Sequence, residues 1–478
     1  MKKFFLAIMS MACMLTAQSQ NKTASLLFDS SRGVKSSLTM PNGKIINYTA
    51  YTKLYFVTNV EDSTYQYMNI FVPDNATHQT PIFLRTYVGG YMASQAGYPQ
   101  ADDAGGRALA EGYVLAIPGS RGRNSTILKG KKTIYTGRAP NGLLDLKAAV
   151  RYLRHFDKQI LGDAEKVITD GTSAGGAMSA LMGATGNVSD YASYLKSMGA
   201  ADERDDVFAS VCFCPITDLE HSDMAYEWLY GNTNSRQALS DSKRQLTKEL
   251  AAQFPVYVNS LGLTKPDGTA LTADNYLDYI GQLILEGAQE AKDAGATLPD
   301  TIGLSFSKQA SFQAPINGGV GIPAMPRGNR AARQGEYVTG IDMQKYLNYV
   351  VTTQPLKGVP AFDSYGVDGA DASGENGEFG NSAGSNANFT QWAADKSGSE
   401  LTTAIRENVH LLNPMNFIGS AQATNARYWY IRHGARDRDT AFPIVINLAT
   451  KLRNNGNEVN LKSATIIQYT IKGRFMSR

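Results

Sequence analysis

Two runs near the start of the chain, Tyr48 to Val57 and Tyr65 to Val72, are rich in Tyr, Phe, Val and Ile. They flank the acidic turn Glu61-Asp62-Ser63 and predict two strands. Pro81 to Tyr87 predicts a third strand, ending at Gly89-Gly90. Tyr113 to Ile117 is a continuous apolar run, the pattern of a strand buried on both faces. The period then lengthens. Leu146, Ala149, Val150 and Leu153 fall at i, i+3, i+4 and i+7, which predicts a helix from a cap at Asn141 to Phe156. Lys166 to Asp170 reads as a short strand, Ala174 to Gly183 as a helix, and Val207 to Cys214 as another buried strand. This alternation of strand and helix argues for an α/β fold, a parallel sheet flanked by helices.

The alternation stops after Asp218. Residues 219–412 instead carry long helical stretches at Ser242–Gln253 and Asp274–Asp293, and a Gly/Asp/Asn/Ser-rich loop from Gly366 to Asn386. The α/β pattern resumes with a strand at Arg427 to His433. A helix from Ala441 to Arg453 follows, with Val445, Leu448, Ala449 and Leu452 on one stripe. A sheet domain in two parts, 20–218 and 413–478, is therefore expected, split by an insertion at 219–412. No internal repeat is visible.

Composition narrows the classes. With 43% hydrophobic residues the chain has material for a sizeable core and is not globally disordered. Lys+Arg 46 against Asp+Glu 43 gives no basic excess, which argues against nucleic acid as a partner. Three cysteines make neither a disulfide framework nor a Cys-rich zinc site, and five histidines leave little room for a His-based metal cluster. Cys212 and Cys214 read as buried free thiols. At the N-terminus, Lys2 and Lys3 precede an apolar stretch from Phe4 to Leu15, with Ala17 and Ser19 at the small positions of a cleavage site. Residues 1–19 are thus expected to be a signal peptide and the protein to be exported, periplasmic or extracellular. Lipidation at Cys13 is the alternative, though Ser10-Met11-Ala12 is a poor lipobox. No later apolar run reaches the ~18–20 residues of a membrane span.

Gly171-Thr172-Ser173-Ala174-Gly175 matches G-x-S-x-G, with a strand directly before it and a small-residue helix after it. That context makes Ser173 a candidate nucleophile on a sharp turn. The Ala174 N–H would then face a developing oxyanion, helped by the helix N-terminus. The second donor is expected in Tyr87-Val88-Gly89-Gly90-Tyr91, where Gly89 and Gly90 allow close backbone approach. The plainer alternative in both places is an ordinary turn rich in small residues. Asp437 and Asp439, two apart after the strand Tyr428 to His433, suit a triad acid and a substrate ligand; a solvated charged loop is the alternative.

Taken together, these words resemble the bacterial tannase-like esterases of the α/β-hydrolase fold. The matching stretches are Val88 to Met92, Gly171 to Gly176, Cys214-Pro215-Ile216-Thr217-Asp218-Leu219-Glu220-His221, Ala225-Tyr226-Glu227-Trp228, Pro360-Ala361-Phe362-Asp363, and Arg432-His433-Gly434 with Asp437-Arg438-Asp439. The resemblance runs from about residue 50 to about 455. It implies a mostly parallel sheet with helices on both faces and a large inserted lid domain. It also implies cleavage of galloyl esters, with Ser173 as nucleophile, Asp437 as acid, and Lys357, Glu375 and Asp439 binding phenolic hydroxyls. A carboxylate accepts from adjacent phenol O–H groups and an ammonium donates to them. Glu378 lies close to Glu375 in the same loop, and a solvated lid surface is the plainer reading of these charges.

Three functions compete: a secreted phenolic-ester esterase working through an acyl-enzyme, a feruloyl or general carboxylesterase, and a non-catalytic binder of phenolic ligands. The expected partner is a small phenolic ester, and no metal or organic cofactor is needed. Oligomeric state is not legible. The third function is kept by the histidines. His78, His155, His221, His410 and His433 all precede Asp437, whereas the triad order puts the base after the acid. The resemblance implies a Pro-His-Ser-Gly-Asp-like segment downstream of Asp437. The sequence instead reads Ser463-Ala464-Thr465-Ile466-Ile467-Gln468-Tyr469-Thr470 and then Arg474-Phe475-Met476-Ser477-Arg478. A frameshift or truncation after about residue 461, and a chain that has lost its base, are therefore expected.

Overall fold

In the computed structural model, residues 25–307, 337–369 and 371–464 are described. The proposed export segment 1–19, Cys13 within it, and the sequence from Thr465 onward lie outside them. Nine strands form the main sheet: β1 (Val34–Thr39), β2 (Ile45–Tyr55), β3 (Tyr67–Pro73), β4 (Pro81–Arg85), β5 (Val114–Pro118), then β8 (Asp163–Thr172), β9 (Ala209–Phe213), β12 (Tyr428–Gly434) and β13 (Glu458–Ala464). Two hairpins stand apart, β6 (Thr126–Lys129) with β7 (Lys132–Tyr135), and β10 (Leu304–Ser307) with β11 (Tyr337–Ile341). The order in the sheet is β1-β2-β3-β5-β4-β8-β9-β12-β13. Pairs from β1 to β5 are antiparallel, and those from β5 through β4 to β13 are parallel.

Burial follows the pairing. β5 is buried at every position, as a strand covered on both faces must be, whereas β2 alternates exposed and buried at its start because one face of the antiparallel end is wet. The first helices are α1 (Ala104–Ala110), α2 (Asn141–His155), α3 (Ala174–Ala184) and α4 (Ala192–Met198). α3 is built of Ala, Gly, Ser, Met and Leu, and is wholly buried. A Cβ on its Gly183 would meet the Trp429 ring at 2.6 Å, so only glycine lets this helix lie so close to β12.

After β9 the chain leaves the sheet and returns beside it as β12. Between them lie α5 (Leu219–Tyr230), α6 (Asn234–Gln237), α7 (Asp241–Ala251), α8 (Phe254–Ser260), α9 (Ala273–Asp293), α10 (Met343–Thr353), α11 (Gly374–Glu378), α12 (Gln391–Ser397) and α13 (Thr403–Leu411). α14 (Phe442–Asn454) follows β12. Tyr226 of α5 and Tyr276 and Ile280 of α9 share one apolar core with Val445 and Leu448 of α14. The Tyr276 hydroxyl lies 2.6 Å from Asn447 Oδ1, tying α9 to α14. The inserted segment is therefore packed down on the sheet region.

β1, β13 and α11 are elements that the hydrophobic pattern did not predict; α11 interrupts the stretch expected to be loop from Gly366 to Asn386. Cys212 and Cys214 are buried, and neither forms a disulfide among the described residues. Among the described residues no helix is long and apolar enough to cross a membrane.

One buried ion pair fixes α2 to the chain before β9. Lys147 Nζ lies 2.7 Å from Asp205 Oδ1 and donates to Thr185 O at 2.7 Å, and Arg151 reaches Asp205 Oδ2 at 2.7 Å. Burial pushes the Lys147 ammonium below its ordinary pKa, and Asp205 opposes that. Removing one partner leaves the other charge buried. Asp205→Asn is expected to cost about 3–5 kcal/mol in urea denaturation, and a loss below about 1 kcal/mol would show the pair to be dispensable.

Candidate active site

Ser173 sits between β8 and α3 with φ 59° and ψ −124°. A side chain in the left-handed region costs of order 1–3 kcal/mol and persists only where its surroundings over-determine it. Here the main chain supplies the braces. Ser173 N donates to Phe213 O at 2.8 Å, and Ser173 O accepts from Ala177 N at 3.0 Å and Ile216 N at 3.3 Å. The glycines are required by close approach. A Cβ would fall 2.1 Å from Gly175 O at Gly171, 2.6 Å from Val88 O at Gly175, and 2.7 Å from Phe213 O at Gly176.

The second loop leans directly on this elbow, since Val88 O touches Gly175. Gly90 and Tyr91 both have positive φ, 56° and 55°, so the loop turns sharply, while Gly89 faces open space. Tyr91 is buried and donates from its hydroxyl to Ile216 O at 2.6 Å. Arg123 Nε holds Gly90 O at 2.7 Å. Ala174 begins α3 and is buried.

Asp437 lies three residues beyond the end of β12 and is 4% exposed. Its Oδ1 accepts from Asp439 N at 2.8 Å, whereas Oδ2 has no hydrogen-bond partner among the described residues. Three tyrosines of the inserted segment hold this loop by its carbonyls. Tyr230 donates to Asp437 O at 3.1 Å, Tyr226 to Arg438 O at 2.7 Å, and Tyr346 to Ala435 O. Asp439 is half exposed and pairs with the guanidinium of Arg438, not with Lys357 or Glu375.

Lys357 Nζ lies 3.9 Å from Glu375 Oε1 and 3.9 Å from the centre of the Phe362 ring. Burial lowers the Lys357 pKa, and Glu375, Asp223 and Asp437 pull it back up. Glu375 and Glu378 sit on α11, which Ser373 caps. A Cβ on Gly374 would come within 2.8 Å of Arg123 Cζ, and one on Gly377 within 2.8 Å of Arg138 Nη1, so the glycine face of α11 lies against two guanidinium groups. Arg123 therefore bridges the Gly90 loop and the helix that carries Glu375. Glu378 is 1% exposed, with Oε2 lacking a partner among the described residues. Burial pushes its carboxyl up to about 8, Arg138 and Arg123 oppose, and Glu375 adds to the rise.

None of the five histidines joins Ser173 to Asp437 among the described residues. His78, His155 and His410 are exposed. His221 Nδ1 lies 2.6 Å from Asp218 Oδ1, with its ring stacked 3.7 Å from that of Tyr257. His433 is buried, stacked on Phe442 at 4.4 Å, and its Nε2 is 4.0 Å from Asp437 Oδ2 and 3.4 Å from Thr440 O. None hydrogen-bonds Ser173 among the described residues. Nor does any group of three His, Cys, Asp or Glu among them suit a metal ion.

Sequence reasoning missed Tyr91, Arg123, Asp223, Tyr226 and Tyr230. Tyr226 lies in a stretch that carried the resemblance, but nothing in the pattern marked its hydroxyl. Asp223 gathers three main-chain amides, Ala361 N at 2.7 Å, Phe362 N at 2.8 Å and Asp363 N at 3.0 Å, a role visible only once the chain is folded.

Comparison with known proteins gives a consistent neighbourhood. A family model described as BD-FAE matches residues 68–260. No curated protein matches the chain. The crystal structure of Fusobacterium nucleatum tannase superposes with a TM-score of 0.77 at 32% identity, over 92% of this chain and 95% of that one. The native tannin acyl hydrolase from Lactobacillus plantarum gives 0.78 and 32%, over 92% and 94%. A tannin acyl hydrolase in complex with ethyl gallate gives 0.78 and 32%, again over 92% and 94%.

The raised carboxyl of Glu378 yields a pH-dependent expectation. Below about 4.5 the group is protonated in both folded and unfolded chains and contributes nothing. Between about 4.5 and about 8 the unfolded chain ionises while the folded one resists, so wild-type stability is lost across that window and the loss is complete above it. Glu378→Gln is therefore expected to gain stability over wild type as pH rises through this window and to level off beyond it. Urea midpoints at several pH values check this; a constant difference would show that Glu378 is ionised in the folded chain.

Proposed function

The chain belongs to the tannase family of α/β-hydrolase-fold carboxylic-ester hydrolases, and on that premise we propose that its site takes galloyl or related phenolic esters, with Ser173 as nucleophile and Asp437 as the triad acid. The observation that carries the reading is the left-handed Ser173, braced by Phe213 O and Ile216 N and pressed through Gly175 against the Gly89-Gly90 loop. Ser173 Oγ attacks the ester carbonyl. The oxyanion that forms is met by the N–H of Ala174 and by the Gly89-Gly90 loop, the alcohol leaves, and water releases the acid from the acyl-enzyme. Residues 219–412 serve as the lid. From it Lys357 and Glu375 meet the phenolic hydroxyls, with Asp439 from the acid loop. No metal or organic cofactor enters this sequence of steps. The protein acts outside the cytoplasm after removal of residues 1–19.

The relay needs an imidazole between Asp437 and Ser173. Among the described residues β13 pairs with β12 as far as Ala464 opposite Gly434, close in sequence to Asp437, and the stretch Thr465 to Arg478 holds no histidine. Among the described residues Asp437 Oδ2 has no hydrogen-bond partner, which supports the same conclusion. A polypeptide of this sequence accordingly binds phenolic esters but turns them over slowly. Loss of a triad member leaves only about 10³–10⁴-fold catalysis over water. The same oxygen favours a second reading, a phenolic-acid binder without turnover.

Two experiments test this. Free imidazole is expected to raise methyl gallate hydrolysis by at least about tenfold, and to restore fluorophosphonate labelling, in the wild-type chain and to do neither in Ser173→Ala. Ordinary turnover without imidazole, or labelling that survives the substitution, would remove the missing base or Ser173 from the reading. In a form given a working base, Asp439→Ala is expected to cost a trihydroxybenzoate ester about 1.5–3 kcal/mol of transition-state binding and an unsubstituted benzoate ester much less. Equal losses would show that Asp439 does not read hydroxyls.

A further inference from the structure

We propose that Tyr226 is a positioning residue whose hydroxyl sets the spacing between the segment that carries Lys357 and the loop that carries Asp437 and Asp439. The proposal rests on the reading of Lys357 and Asp439 as groups that bind phenolic hydroxyls. Tyr226 is fully buried on α5. Its hydroxyl donates to Arg438 O at 2.7 Å and accepts from Lys357 N at 3.1 Å. Arg438 stands between the two aspartates of the acid loop. One oxygen thus spends its proton on one side of the site and a lone pair on the other.

The neighbouring contacts hold one side or the other. Tyr230 and Tyr346 bond Asp437 O and Ala435 O and make no bond to the Lys357 segment among the described residues. Arg236, paired with Glu227 of α5, donates to Lys357 O at 2.9 Å and Gly358 O at 3.0 Å. Asp223, one turn before Tyr226, gathers the amides of Ala361, Phe362 and Asp363. These fix the segment to α5, so that the Lys357 ammonium rests over Phe362. Among the described residues, the Tyr226 hydroxyl is the side-chain group that bonds the main chain on both sides at once. The ring itself is clamped, 4.9 Å from Tyr230 and 6.0 Å from Phe362, so loss of the oxygen leaves the packing in place. A ligand with several hydroxyls bridges both sides and depends on their spacing. A ligand with a bare ring does not.

The test is calorimetry on the full chain, wild type and Tyr226→Phe, with gallate and with benzoate. Wild type is expected to prefer gallate. Tyr226→Phe is expected to weaken gallate roughly five- to tenfold, leave benzoate within about twofold, and hold its thermal midpoint close to wild type. A fall of both ligands together, or an unchanged ratio of the two affinities, would overturn the positioning role. A wild-type chain that does not prefer gallate would instead overturn the hydroxyl-binding reading on which the proposal stands. If Tyr226→Phe fails to fold, amide exchange on the wild-type chain decides. Gallate is expected to slow exchange across residues 357–363 and benzoate is not; equal effects would overturn the proposal.

Discussion

A single residue held in the left-handed region, Ser173 at φ 59°, organises the surroundings of the site. Such a conformation is unfavourable on its own and survives because other parts of the chain leave it no alternative. The braces are main-chain atoms of Phe213 at the end of β9, of Ile216 beyond it, and of Val88 beyond β4. They reach it because Gly171, Gly175 and Gly176 have no side chain. Three parallel strands are thereby locked together at their carboxyl ends, and the Gly89-Gly90 loop is placed by contact with the elbow. Tyr91 completes the loop of contacts by donating to Ile216 O, whose own amide holds Ser173.

The inserted segment gives the site its charge. Glu375 and Glu378 are buried on α11, whose glycine face lies against Arg123 and Arg138, and burial lowers the pKa of the half-buried Lys357 beside them. A low local dielectric makes every unmatched polar atom there expensive and every matched one worth more. Asp437 Oδ2 and Glu378 Oε2 are such unmatched atoms among the described residues.

Legibility in the sequence followed the distance of the partners. α2 was readable because Leu146, Val150 and Leu153 repeat at its own period, and the elbow because its strand, serine and glycines are contiguous. β1 was not, because all but one of its six residues are exposed and no alternation survives. α11 reads as loop because Gly374 and Gly377 discourage a helix. They are there for Arg123 and Arg138, which approach from far away in sequence. Lys357 and Glu375 were found by resemblance to a family and not by pattern. Asp223 and Tyr226 look like ordinary residues of an amphipathic helix until residues 357–363 and 437–439 are laid across them.

Those separations decide which parts of the molecule can lose order independently. Every brace on Ser173 comes from residues 88–216, and the Tyr91–Ile216 bond beside them closes a loop of 125 residues. The bond from Asp223 to Asp363 spans 140 residues and that from Tyr226 to Arg438 spans 212, so the second needs the chain beyond β12. The elbow's own contacts are therefore complete without the loop that carries Asp437. Loosening of that loop, which Tyr226 and Tyr230 hold from α5, would leave the backbone of Ser173 braced as before, so the two sides of the site can lose order separately on heating.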